Sequence, residues 1–138
     1  MNIEHVKERI EKMPSLSSAL GMEFISTPDK DTCMARMKVD DRNRQPFGFL
    51  SGGASLALAE NLAGVGSLAL CPSRISVAIN VSGSHVRAVL EGDTVTATAY
   101  LLHKGSTLHQ WHNEIRNSAE ELISTVEVTN YVVNARQK

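Results

Sequence analysis

The chain has 138 residues, 42% hydrophobic and 21% charged, a balance that excludes a disordered or fibrous protein and leads us to expect a single domain over 1–138. Its 14 Lys and Arg against 15 Asp and Glu give a formal charge of -1, which leaves no extended basic surface for a phosphate backbone. Aromatic residues are only 4%, too few for a base-stacking platform, so nucleic acid is not an expected partner.

The first dozen residues, MNIEHVKERIEK, mix both charge signs and lack the apolar run and cleavage site of a secretory signal. Ile3, Val6, Ile10 and Met13 recur at steps of three and four, which predicts an amphipathic helix over 3–13 ended by Pro14. Residues 15–20 form a short helical turn capped by Gly21, so 1–20 is an N-terminal helical segment. A short strand over 22–27 and the polar turn Pro28, Asp29, Lys30, Asp31 lead into a half-buried strand over 32–39, with Cys33, Ala35, Met37 and Val39 on one face. Residues 40–45 are a polar loop. From Arg74 onward helical spacing gives way to four β-branched, alternating runs, 74–89, 93–103, 106–116 and 122–133. Short turn-like breaks separate them, which predicts an antiparallel meander. The two cysteines, Cys33 and Cys71, allow one bridge at most and nothing in the sequence requires it, so a reduced cytoplasm is the expected location.

The informative segment is SGGASLALAENLAGVGSLAL, Ser51–Leu70. Ala and Leu favour a helix, while Gly64 and Gly66 suggest a close approach to another backbone. Its apolar part, Ala54–Leu70, is shorter than the ~20 residues that span a bilayer and is interrupted by Glu60 and Asn61, so no membrane segment is expected. The helix shows no charged stripe, so it is expected to be wrapped by the long sheet of the second half. Glu60 is its only ionisable residue. On a buried helix an unpaired carboxylate is costly and its pKa rises, which points to chemistry; the alternative is a rim position facing water or a cation.

Ser51, Gly52 and Gly53 begin this helix, where free amides and the positive dipole end can hold a developing oxyanion. The plain alternative makes Ser51 an N-cap and the glycines a turn. Gly53 and Glu60 lie seven residues apart, roughly 10 Å along a helix axis, so they cannot act on one carbonyl within one chain. If both serve one substrate, Glu60 must meet the helix start of a second subunit across a two-fold axis.

The stretch QPFGFLSGGASLALAE, Gln45–Glu60, resembles the PaaI-like hotdog acyl-CoA thioesterases. Within that group it is similar to the branch holding 1,4-dihydroxy-2-naphthoyl-CoA thioesterase and the enterobactin-pathway proofreading thioesterase. SHVR up to Arg87, Glu91-Gly92, the His103–Ser106 turn and Trp111 extend the likeness over most of the chain from about residue 20. The resemblance implies an α+β hotdog fold, a long central helix wrapped by a curved antiparallel sheet, paired into a dimer and often a dimer of dimers. It implies hydrolysis of an acyl-CoA, with an aromatic acyl group favoured, to free acid and CoA. Glu60 would be nucleophile or general base, Gly52 the oxyanion donor, and Gln45 a placing group from the subunit opposite Glu60. His85 would stand near the acyl pocket and the Gly105-Ser106 turn near the CoA arm, with Gly53 and Arg87 also at the substrate.

This chain departs from the family at Ser51, where the pattern usually has His. A hydroxyl is shorter and uncharged, so reduced turnover is expected, since backbone donors do not depend on that side chain. A non-catalytic acyl-CoA-binding protein is the alternative. Hydratase chemistry finds no matching His and acid motif. His109 and His112 fall on opposite faces of a strand and are not expected to share a metal, and no metal or other cofactor is expected. Arg74, Arg87 and Lys104 are candidate partners for CoA phosphates, and Trp111 and Tyr131 are expected to pack.

Overall fold

The computed structural model describes residues 1–134; the last four residues of the expected domain lie outside the described residues. Helix α1 (Glu4–Glu11) is shorter than its apolar spacing predicts. Ile3 and Val6 enter the core, whereas Met13 is 58% exposed beyond the helix end. Helix α2 (Leu16–Leu20) opens with a Ser15–Ser18 capping box and closes at Gly21, whose φ of 84° is a left-handed conformation that glycine adopts without cost. Strands β1 (Met22–Ile25) and β2 (Thr32–Lys38) form the expected hairpin, two residues and one residue shorter than expected.

After helix α3 (Gly52–Leu70) come β3 (Arg74–His85), β4 (Thr94–Lys104), β5 (Leu108–Arg116) and β6 (Leu122–Asn134). All pairings are antiparallel, in the order β1-β2-β4-β5-β6-β3. The meander holds only for β4, β5 and β6. Strand β3 does not neighbour β4 as expected but pairs with β6 at the far edge, because α3 feeds the chain to one side of the sheet and β2 already occupies the free edge of β4. It also ends at His85 rather than 89. Irregular register at Ala78/Asn80 and Leu101/His103 adds curvature, so the sheet curls around α3, which touches β2 through β6.

The expectation that the sheet wraps α3 on all sides is not met. Ala54, Leu58, Ala59, Leu62, Ala63 and Val65 are buried, whereas Gly53 and Glu60 on the opposite side are exposed. One sheet can cover only one face of a helix, and the other stripe is small and nearly uncharged. By length and composition α3 could cross a membrane, but Leu58, Leu62 and Val65 are embedded in the protein core. Gly64 and Gly66 of this helix differ. A Cβ on Gly66 would lie 2.6 Å from Trp111 Cη2 and 3.1 Å from Cys33 Sγ, so the close approach is to side chains. A Cβ on Gly64 would meet nothing within 4 Å.

Four polar side chains beneath α3 bond to one another around Ser67. Ser67 Oγ accepts from Trp111 Nε1 at 3.0 Å and Asn130 Nδ2 at 3.1 Å, and it shares a 2.8 Å hydrogen bond with His109 Nδ1. His109 is fully buried, while His112 faces outward to Glu127 and Glu114, so the two imidazoles occupy opposite faces as expected. Trp111 packs in the core, but Tyr131 is 44% exposed on the outer face, because its alternation places it with Glu127 and not with Val128. Cys33 and Cys71 are free thiols, and burial pushes Cys33 up to about 12.

Candidate active site

A cavity of about 430 Å³ opens at the start of α3, between the 45–50 loop and the end of β3. Ser51 occupies the N-cap position with extended backbone (φ -66°, ψ 135°), but its hydroxyl makes no capping bond. Ala54 and Ser55 donate their amides to Ser51 O, while the Gly52 and Gly53 amides have no hydrogen-bond partner among the described residues. Two free N–H groups at a helix N-terminus are a site for negative charge. His85 lies directly on Gly52: a Cβ there would come within 2.9 Å of its Cδ2 and Nε2. The ring is turned by a 2.7 Å hydrogen bond between Nδ1 and the buried Ser124 hydroxyl.

Gln45 is held by its own loop. Its Oε1 accepts from the Phe47 amide at 2.6 Å and the Phe49 amide at 3.1 Å. Both partners are N–H donors, which fixes the oxygen toward the loop and leaves Nε2 as the group Gln45 can offer a ligand. Arg87 lines the same cavity and forms an exposed ion pair with Glu121 at 3.2 Å.

The sequence-predicted residues therefore divide. Gln45, Gly52, His85 and Arg87 converge on one cavity. Ser51 and Gly53 border a neighbouring depression with Arg42, Arg44 and Ala57. Gly105 and Ser106 form the β4–β5 turn away from that cavity, where Ser106 O accepts from Arg74 Nη1 at 2.8 Å. Glu60 lies in a second cavity of about 200 Å³ with Asn61, Gly64 and Ser76. The expected burial of Glu60 is not found in the protomer, where it is exposed on the uncovered face of α3. Gly52 and Glu60 are eight residues apart on a straight helix, about 12 Å along its axis.

Two participants escaped the sequence reading. Ser55, buried one turn into α3, lines the first cavity. Ser124 orients His85, and its signal was present: with Asn130 it is a polar residue in the inward row of β6, where Val126, Val128 and Val132 are apolar.

A long helix cradled on one side by a curled antiparallel sheet, with open amides at its start and one carboxylate midway along it, is the layout of the hotdog fold. The family model described as thioesterase superfamily matches residues 47–124. Proofreading thioesterase EntH of Cronobacter turicensis is 41% identical over 98 residues, 70% of this chain and 70% of that protein. The 1,4-dihydroxy-2-naphthoyl-CoA hydrolase of Listeria monocytogenes is 31% identical over 109 residues, 78% of this chain and 87% of that one. A solved thioesterase structure from Haemophilus influenzae superposes with a TM-score of 0.87 at 33% identity, covering 99% of this chain and 94% of the other. The chain belongs to the thioesterase superfamily, and the likeness seen in Gln45–Glu60 holds: the protein is a thioesterase with the hotdog fold.

Proposed function

We propose that the protein is a cytoplasmic thioesterase that hydrolyses an aromatic acyl-CoA, at a site completed by two subunits. The observation that supports this most is the separation of its parts: Gly52 and Gln45 open into one cavity and Glu60 into another. A two-fold pairing of antiparallel α3 helices would set each carboxylate opposite the other chain's open amides. Edge strand β3 is free on one side and presents Ile75, Val77 and Ile79, which are 44%, 52% and 59% exposed, as an unpaired edge does when a second copy extends the sheet.

In this reading the thioester carbonyl oxygen lies at the Gly52 N–H, with Gln45 Nε2 as a second donor. Both are in place before charge develops, which is the condition for effective oxyanion stabilisation. Glu60 of the other chain then either accepts a proton from water as it attacks the carbonyl carbon, or attacks directly to form an anhydride that water opens. Collapse of the tetrahedral intermediate breaks the C–S bond, and the thiolate of CoA leaves and is protonated. His85, steered by Ser124, flanks the oxyanion position. The CoA arm would run past Arg87, with the Gly105-Ser106 turn and its neighbours Arg74 and Lys104 supplying cationic contacts. No metal or other cofactor enters this chemistry.

The test is thiol release from a panel of aryl and aliphatic acyl-CoAs by wild type and Glu60→Gln. Loss of turnover by orders of magnitude at unchanged thermal stability supports the reading; near-normal rates remove it. A second reading, binding without efficient turnover, is favoured by Ser51, which stands at the family's usual His position and whose hydroxyl makes no cap bond. It predicts thermal stabilisation by CoA thioesters without thiol release.

A further inference from the structure

Thioester hydrolysis at the α3 start leaves one nucleophile unused. Cys71 closes α3, its amide donating to Ser67 O at 3.0 Å, and its sulfur lies 4.0 Å from His109 Nε2. The thiol is half-buried and Pro72 and Ser73 beside it are exposed, which leaves the sulfur open to a small reagent. Cys33, by contrast, is buried, points its Sγ at Leu62 O and has its pKa pushed up to about 12 by that burial. It stays protonated and inert.

The hydrogen bonds around Ser67 decide where His109 carries its proton. Burial above all, then Lys104, Arg74 and His103, lowers the pKa of the ring, so at neutral pH it is uncharged and has one N–H. A hydroxyl has two lone pairs and one proton. Ser67 Oγ fills both lone pairs with the Trp111 and Asn130 N–H groups, so its own O–H must go to His109 Nδ1. The ring proton therefore sits on Nε2, whose one hydrogen-bond partner among the described residues is Cys71 Sγ. A buried imidazole thus aims a donor at the sulfur.

Charge at this end of α3 has one sign. Arg74 donates its amide to Cys71 O at 3.0 Å, and neither Arg74 nor Lys104 forms an ion pair among the described residues. Arg74 Nη1 and Nη2 donate to Ser106 O and Val132 O, while its Nε is buried with no hydrogen-bond partner among the described residues. The negative end of the helix dipole opposes an anion here, but it is worth about half a charge against the full charges of Arg74 and Lys104. Donors and cations around a partly exposed sulfur are the surroundings of a reactive cysteine.

We propose that Cys71 is a modification site, a reactive thiol that exchanges with small anionic disulfides and is held ready by the His109 Nε2–H. In the exchange the Cys71 thiolate, its proton given to water, attacks one sulfur of the reagent. The new S–S bond forms as the old one breaks, and the second sulfur leaves as a thiolate with the electron pair. Cys71 is oxidised to a mixed disulfide, the leaving half is reduced, and an added thiol reverses the step.

The experiment follows the full chain with dithiobis(nitrobenzoate), an anionic aryl disulfide, and with neutral dithiodipyridine, each at low salt and at molar salt. Peptide mapping should find the adduct on Cys71 with Cys33 unmodified, and Cys71→Ser should lose the reaction. The ratio of anionic to neutral rate constants should exceed that of the urea-unfolded chain by about tenfold or more at low salt, and collapse toward it at molar salt, where charges are screened beyond about 3 Å. The whole chain carries a formal charge of -1, so such a ratio reports charge local to Cys71. Nitrogen NMR of the His109 ring in wild type should show Nε2 protonated and Nδ1 bare. No adduct on the folded chain, modification of Cys33 first, a ratio equal to that of the unfolded chain, or the opposite tautomer overturns the inference.

Discussion

Glu60 makes no hydrogen bond or ion pair among the described residues and is exposed in the protomer, so its removal should cost the fold little. Glu60→Gln is therefore expected to lower kcat by about 10²–10⁴-fold, the usual range for a positioned proton-transfer group, with a melting temperature close to wild type. Gly52→Ala should also lower turnover, because the new Cβ would come within 2.9 Å of the His85 ring and push the imidazole off the helix start. Steady-state kinetics should show this as a fall in kcat, and His85→Ala in the same background should relieve the clash without restoring full activity. Ser51→His is expected to raise turnover several-fold; an unchanged or lower rate contradicts the idea that Ser51 limits the enzyme. At this scale the sequence revealed the lone carboxylate and the diglycine, since both stand out against an apolar helix. It did not reveal that Gln45 offers Nε2, because the amide's orientation is set by a loop that folds back through the Phe47 and Phe49 N–H groups.

Helix α3 carries two glycines two positions apart with opposite expected responses. Gly66→Ala drives a methyl against Trp111 and Cys33 and should destabilise by about 1–3 kcal/mol, the cost of overpacking a close-fitted core. Gly64→Ala meets nothing in the protomer and should stabilise by up to about 1 kcal/mol, since alanine restricts the unfolded chain. Urea unfolding of both variants checks the pair; equal effects would mean that α3 does not sit on the sheet as described. Composition alone could not separate these glycines, because the difference lies in which face of α3 each occupies. The strands were legible from alternation and their turns. Their order was not, because nothing local in 74–85 says that it will pair with a strand some fifty residues later and not with the next one. Likewise the apolar helix signalled a need for cover without saying that its own sheet supplies only half.

Across the whole molecule, exposed apolar groups include Ile75, Val77 and Ile79 on edge strand β3, Val86 in the wall of the first cavity at 61%, and Phe47 and Leu90 at 82% and 65%. Apolar surface of this kind is what the proposed pairing of two chains would cover. Acid stability should show two opposed histidines. Burial, helped by Lys104, Arg74 and His103, lowers the His109 pKa from its usual 6.5, so the unfolded chain binds the extra proton and stability is lost as pH falls below that value. Burial also works against charge on His112, but its hydrogen bonds to Glu127 and Glu114 outweigh it and raise the pKa. The folded state therefore gains from His112 below 6.5 and loses that gain as pH rises through the raised value. The denaturation midpoint at about pH 5, taken relative to that at about pH 8, should rise in His109→Gln and fall in His112→Gln.

The central claim is that each site joins Glu60 of one chain to Gly52 and Gln45 of another, and subunit complementation tests it most directly. Glu60→Gln and Gln45→Ala, each nearly inactive, are unfolded together and refolded in equal amounts. Random pairing makes half the dimers mixed, each with one intact site of two, so activity should recover to about a quarter of wild type. Recovery of nothing beyond the sum of the two parents would place Glu60 and Gln45 in the same chain's site and contradict the account.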